Sequence, residues 1–236
     1  MEEKKKGGKR AAPNRRGWLL AVLVLAGLGI WGILEWRAHT APGPGISVNE
    51  EALTRREPFY QYDAPGVTAR AGVDVSSYQG VVDWPAVKAA GADFAMLRVG
   101  FRGYGTGALV EDNAFAQNAA DAANAGLTVG VYFYSQAVTE EEAAEEARFV
   151  VERLRGTNVS GPIAYDLEFY TADEARTDDL TGEQATQNAI AFCDVIRQAG
   201  YEPVVYMNLH WAGSMYGMEE LAHLPVSVSY THLTLP

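Results

Sequence analysis

Two hydrophobic rhythms take turns along the chain after residue 70. Short apolar runs at 71–75, 94–99, 128–134, 163–167 and 204–207 alternate with stretches whose apolar residues recur every three or four positions. Runs of that length, rich in valine, phenylalanine and tyrosine, predict strands; the stretches between them predict helices around 85–90 and over 113–125, 139–154 and 182–199. Thr139 followed by Glu142 opens one helix as a capping box, and Gly91, Gly126, Gly156 and Gly200 stand where helices need a left-handed terminator. Strands alternating with helices predict an α/β fold with a parallel sheet under helices. Five such strands without a phosphate loop point to a TIM-barrel-like barrel more than to a nucleotide-binding fold. The glycine-rich piece Gly100–Gly107 lacks the Gly-Lys-Ser/Thr ending of a phosphate loop and reads as a surface loop beside the site.

Upstream the pattern changes. Residues 1–16 hold seven lysines and arginines, and 17–34 hold no ionisable residue. Such a run just suffices to span a bilayer and is long for a cleaved signal core. The basic flank puts the amino terminus inside, so the expected layout is a basic cytoplasmic tail (1–16), a transmembrane helix (17–36) and an extracytoplasmic linker (37–70). A secreted protein is the alternative. Pro42, Pro44, Pro58 and Pro65 interleaved with glycine make the linker read as an extended spacer. The folded domain is expected over 71–225.

The formal net charge is −11, and without the first sixteen residues 12 basic residues face 28 acidic ones. That balance excludes nucleic acid as a natural partner. The single cysteine, Cys193, lies in a helical apolar pattern and reads as a small buried hydrophobe. It leaves no disulfide framework and no zinc site built on several cysteines, so neither metal nor cofactor is expected.

The chemistry concentrates at Tyr165-Asp166-Leu167-Glu168. Alternation along a strand puts Asp166 and Glu168 on one face, about 7 Å apart along the backbone. Two carboxyls side by side raise one another's pKa, which makes such a pair either a solvated strand end or a site kept for chemistry. The active face of a barrel of this class is the carboxyl end of its strands. That end would gather Asp74 and Ser76, Arg98, Tyr132 and Tyr134, Asp166 and Glu168, and Tyr206 and Asn208. Each has a plainer role available: Asp74 as a turn cap with Ser76 and Ser77, Arg98 as a structural counter-ion, the tyrosines as packing. Together, acids beside aromatics have the composition of a sugar site in which one carboxyl protonates a leaving oxygen.

The segments Gly72-Val-Asp-Val-Ser-Ser-Tyr-Gln-Gly80, Val82-Asp-Trp84, Leu97-Arg-Val-Gly100, Gly130-Val-Tyr-Phe-Tyr134 and Tyr165-Asp-Leu-Glu168 resemble glycoside hydrolase family 25, the lysozymes of the N-acetylmuramidase type. The resemblance implies a barrel of five β/α units followed by three further strands, (β/α)5(β)3. It also implies cleavage of the β-1,4 bond between N-acetylmuramic acid and N-acetylglucosamine in peptidoglycan glycan strands; a monomer is expected, and the orientation of residues 1–36 puts the domain outside the cytoplasm. On that resemblance Glu168 is the proton donor, Asp166 assists through the substrate's acetamido group, and Asp74 is the first-strand acid of the same site. Tyr132 and Tyr206 line the sugar groove, with Tyr134, Arg98 and Asn208 as further substrate-binding candidates; Gln79 receives no role. A non-catalytic wall-binding module on the same fold is the alternative. The family's Trp-x-Ala strand and closing aspartate are not found, so the barrel is expected to be incomplete. Residues 226–236 read as a tail foreign to the domain, since 228–233 resemble one reading frame of a transposase adapter, and His232 and His223 are not read as metal ligands.

Overall fold

The computed structural model describes residues 52–63, 65, 69–168, 173–208 and 214–229. The basic tail, the expected membrane helix, most of the linker and the last seven positions lie outside these residues. Among the described residues no helix is long and apolar enough to cross a membrane.

The first element is a hairpin, β1 (Leu53–Arg56) paired antiparallel with β2 (Phe59–Tyr62). It falls inside the stretch expected to be a spacer. Three aromatics among the four residues Phe-Tyr-Gln-Tyr give this segment high strand propensity, and Phe59 packs against the core of the following domain. Prolines on either side obscure that short signal.

The domain itself follows the two rhythms: β3 (Gly72–Val75), α1 (Trp84–Ala89), β4 (Phe94–Arg102), α2 (Phe115–Asn124), β6 (Thr128–Ser135), α3 (Glu140–Arg153), β7 (Ile163–Leu167), α4 (Gly182–Gln198) and β8 (Pro203–Asn208). Two further strands are added. β5 (Leu109–Glu111) turns back antiparallel on β4, so Gly100–Arg102 is strand and only the remainder of the glycine-rich piece is loop. β9 (Val226–Ser229) lies parallel to β8 and uses the first residues of the presumed foreign tail. The sheet order is β3-β4-β6-β7-β8-β9, parallel throughout, curled into a half-barrel.

Alternation decides which side chains go where. On β6, Val129, Val131, Phe133 and Ser135 are buried under the helices, and Gly130, Tyr132 and Tyr134 line the opposite, concave face. β7 repeats this with Ile163, Tyr165 and Leu167 beneath the helices and Ala164, Asp166 and Glu168 on the concave side. The core joins these inward residues to Phe115, Ala119 and Ala122 of α2, Ala143, Ala147 and Val150 of α3, and Ala189, Phe192, Cys193 and Ile196 of α4. Cys193 is buried and unpaired, as its apolar setting predicts.

The helix ends follow the local chemistry. Asp83 Oδ1 accepts from the Ala86 amide, Thr139 Oγ1 from Glu142 and Thr181 Oγ1 from Gln184. The box at Thr139 closes differently from expectation: the Glu142 carboxylate reaches back to the Val138 amide, at 2.9 Å, one residue beyond the cap. Gly91, Gly126, Gly156 and Gly200 all have positive φ, between 78° and 104°.

Candidate active site

The concave face of the sheet is a cleft of about 720 Å³. Its upper part, at the carboxyl ends of the strands, is lined by Asp74, Ser76, Tyr78, Arg98, Tyr132, Tyr134, Asp166, Glu168 and Tyr206. The lower part runs down to Phe94, Thr128 and Pro162 at the strands' amino ends. The cleft therefore follows the whole length of the strands, and its chemistry is confined to one end.

Strand register assembles that end. Asp166 lies between Tyr134 of β6 and Tyr206 of β8, and Arg98 lies opposite Tyr132. Tyr132 donates a hydrogen bond to Asp74, joining the first strand to the third. Asp74, Asp166 and Glu168 thus share one mouth, as the sequence predicts. All three carboxyls are held above the ordinary carboxylate range, burial being the largest cause in each. For Asp166 the charges of Glu168 and Asp74 add to the effect; for Glu168 the charge of Asp74 does. Asp74 is open to solvent on one side yet crowded on the others, and that crowding outweighs the hydrogen bond from Tyr132 and the field of Arg98. Tyr132 is in turn kept firmly protonated by burial and by Asp74.

Asp166 stands apart even within this group. Only 8% of the residue is exposed, and among the described residues its Oδ1 is buried with no hydrogen-bond partner. A buried carboxylate oxygen is costly to leave unsatisfied, and a donor from water or from a ligand would satisfy it.

The other candidates have more particular positions. Arg98 does line the cleft, but its guanidinium is committed: Nε and Nη2 meet Asp112 Oδ2 at 2.8 and 2.7 Å, and Nη2 donates to Ser77 Oγ at 3.2 Å. Its charge still reaches Asp74 and Asp166, lowering their pKa values against the dominant burial. Asn208 ends β8 and is not among the residues lining the cleft. Tyr132, Tyr134 and Tyr206 line it as expected.

Three features escape sequence reasoning. Ser76, rather than Asp74, caps the turn after β3, receiving the Tyr78 amide while its own N–H and hydroxyl donate to Gln79 Oε1 at 2.8 and 3.1 Å. Gln79 thereby acquires a structural role. Tyr78, 85% exposed, presents its ring at the cleft rim with the Arg98 guanidinium 5.0 Å from its centroid. Behind the site, Arg102 is caged by Glu146 and Glu145 and by the Gly107 and Glu142 carbonyls, while Ser135 donates to Glu146 at 2.6 Å. Of these, only the Ser-x-x-Gln spacing carried a readable cap signal. Among the described residues no cluster of His, Cys, Asp and Glu could hold a metal ion.

The sequence model of the family described as glycosyl hydrolases family 25 matches residues 73–228. A curated relative, lysozyme M1 of Streptomyces globisporus, is 31% identical over a 140-residue alignment, with a coverage of 52% of this chain and 46% of that protein. The chain therefore spans about half the length of the curated relative it matches. Among solved structures, the modular autolysin LytC of Streptococcus pneumoniae superposes with a TM-score of 0.62 at 21% identity, covering 76% of this chain and 43% of that one. A family 25 glycosyl hydrolase from Bacillus anthracis does so with 0.58 at 19% identity, covering 77% and 79%. At such identities these two similarities bear on the fold alone.

Proposed function

Since the chain belongs to glycosyl hydrolases family 25, we propose that its cleft hydrolyses the β-1,4 bond between N-acetylmuramic acid and N-acetylglucosamine in peptidoglycan, with Glu168 as general acid. The observation that carries this reading is the meeting of Asp74, Asp166 and Glu168 at one end of an open, aromatic-lined cleft, all with raised pKa values. The relatives, a lysozyme and an autolysin also solved with a synthetic peptidoglycan ligand, support the substrate class.

The roles follow from the environments. Glu168 is half-buried, and that burial together with the charge of Asp74 raises its pKa, so it keeps its proton to higher pH than an exposed glutamate and can pass it to the glycosidic oxygen as the bond breaks. The unpartnered Oδ1 of Asp166 is an acceptor for the N–H of a 2-acetamido group. That contact would hold the acetamido oxygen behind the anomeric carbon. There the oxygen can form the new C–O bond as the glycosidic C–O bond breaks, and water then opens the resulting ring, with its proton returning to Glu168. Substrate assistance of this kind needs no second carboxylate nucleophile. Asp74, hydrogen-bonded by Tyr132, adds negative potential where positive charge develops on the sugar.

Reducing-sugar release from purified peptidoglycan tests the proposal. The chain should release sugar, and Glu168→Gln should not, although it sediments with peptidoglycan as before. Equal release by both proteins would overturn the assignment; sedimentation without release by either would favour a wall-binding module. A membrane-tethered, extracytoplasmic location rests on the sequence of residues 1–36 alone. Resistance of the chain to alkaline extraction from membranes, lost when 1–36 are deleted, is the expected result.

A further inference from the structure

The β6–β7 ladder ends with Ser135 opposite Leu167. Glu168 is one residue further on, where a parallel ladder would next call on the backbone of residue 136. Instead the side chain of Gln136 takes over. Its Nε2 donates to the Glu168 carbonyl at 2.8 Å, and its Oε1 accepts from Thr177 Oγ1 at 3.0 Å. Gln136 and Thr177 are both 0% exposed, so their bond to one another is closed to solvent, and the Gln136 amide reaches Glu168 from inside the fold. We propose that Gln136 is a positioning residue for Glu168: its amide supplies the last rung of the sheet and so fixes the backbone from which the acid reaches into the cleft.

The surroundings hold Gln136 itself from three sides. Asn188 of α4 donates to the Ala137 carbonyl at 2.9 Å. Ser135 Oγ accepts from the Ala137 amide at 3.2 Å and donates its own hydrogen bond to Glu146 of α3 at 2.6 Å. The Glu146 carboxylate, which also accepts from the Gln136 amide, is locked by Arg102 at 2.7 Å. A buried glutamine could equally be an ordinary satisfied core polar group. What sets this one apart is its target: the backbone carbonyl of a residue whose side chain lines the cleft, which among the described residues also receives a longer 3.4 Å contact from the Tyr134 hydroxyl. A misplacement of about 1 Å at a reacting group can cost on the order of a hundredfold in rate.

This inference rests on Glu168 being the proton donor, and the experiment separates the two. Gln136→Met keeps the shape and removes both hydrogen bonds. In the full chain it should lower kcat about 10- to 100-fold and leave KM within about threefold. The alkaline limb of its pH–rate profile should move toward lower pH, because a loosened Glu168 gains water while Asp74, Asp166, Arg98 and Tyr132 around it stay in place. Gln136→Glu keeps the acceptor for Thr177 but can donate to the carbonyl only when protonated, so its activity should recover on acidification. If Gln136→Met fails to fold, Thr177→Val, which only frees the anchor, should show the same pH shift with a smaller fall in kcat. Wild-type kcat and pH profile in a folded variant, or a loss that only tracks the unfolded fraction, would overturn the role. Full activity in Glu168→Gln would instead refute the assignment of the acid, whatever Gln136→Met does.

Discussion

Two carboxylates are buried on opposite faces of the same sheet, and they are treated in opposite ways. Glu146, 0% exposed and beneath the helices, is met by Arg102, Ser135 and the backbone, and its partner Arg102 is itself satisfied by carbonyls and by Glu145. Asp166, on the cleft side, has two like charges for neighbours and an oxygen without a donor. Burying a charge with partners holds elements together; burying one without them keeps a binding position open. The contrast assigns structure to one face and chemistry to the other more sharply than composition does, since arginines and glutamates occur on both.

The largest effect should come from the cleft. Glu168→Gln keeps the size of the side chain and removes its proton, so activity should fall by about 10²–10⁴, the range for a general acid, with Tm almost unchanged. Turnover on peptidoglycan measured beside thermal melting checks both halves. The opposite signature is expected across the sheet. Glu146→Ala leaves the Nε of the buried Arg102 and the Ser135 hydroxyl without their acceptor, and should cost about 3 kcal/mol of stability in urea unfolding. Any activity lost with it should follow the folded fraction and the position of Gln136. An Ala variant with wild-type stability would erase the distinction between the two carboxylates.

How far this contrast can be read from the sequence depends on the range of the interactions. The cleft acids are legible because period 2 along β7 places Asp166 and Glu168 together, and the order of parallel strands brings Asp74 to the same end. The face of each residue is a local property. Partnership is not: Arg102 meets Glu146 across 44 positions, Thr177 meets Gln136 across 41, and Gln136 meets Glu168 across 32. No periodicity encodes such pairs, so Arg102 and Gln136 pass for ordinary strand-end residues until the fold is known. Arg98 illustrates the same limit. Its place on the cleft face is legible, but its commitment to Asp112 depends on the β4–β5 turn and the start of α2, which bring that aspartate back. The hairpin β1–β2 and the strand β9 are too short for their patterns to stand out from proline-rich or unrelated-looking surroundings.

Asp166→Asn should sharpen the comparison further, because removing the charge relieves the site. Stability is expected to rise by about 0.5–2 kcal/mol, the range typical when a functional site's strain is released, while activity falls. The pH dependence of stability carries the same information with its sign. Asp74, Asp166 and Glu168 have folded pKa values above their unfolded values of 3.8, 3.8 and 4.5, so the native state holds protons that the unfolded chain has lost. Stability should therefore decline as pH rises from those values through the raised ones. Asp112 and Glu142, both lowered by hydrogen bonds and arginine partners, act in the opposite sense and lose their contribution as pH falls below their unfolded values. A Tm maximum at mildly acidic pH is the expected outcome, and Asp166→Asn should flatten its neutral side.

A third carboxylate supplies the control for all of these. Asp83 is exposed, and its Oδ1 accepts from the Ala86 amide at 3.0 Å, where Trp84 and Pro85 open α1. It resembles Glu146 in having a partner and Asp74 in meeting water, yet it touches neither the cleft nor the Arg102 network. Asp83→Ala removes one cap from a six-residue helix and should cost about 1 kcal/mol. Trp84, fully buried and bonded through Nε1 to Asn118, anchors the same helix by packing, so the loss should remain local. Both kcat and the pH–rate profile should match the wild type. A changed profile in this variant would mean that the titration of the cleft responds to charge anywhere on the domain, and the separation between the two faces of the sheet would lose its basis.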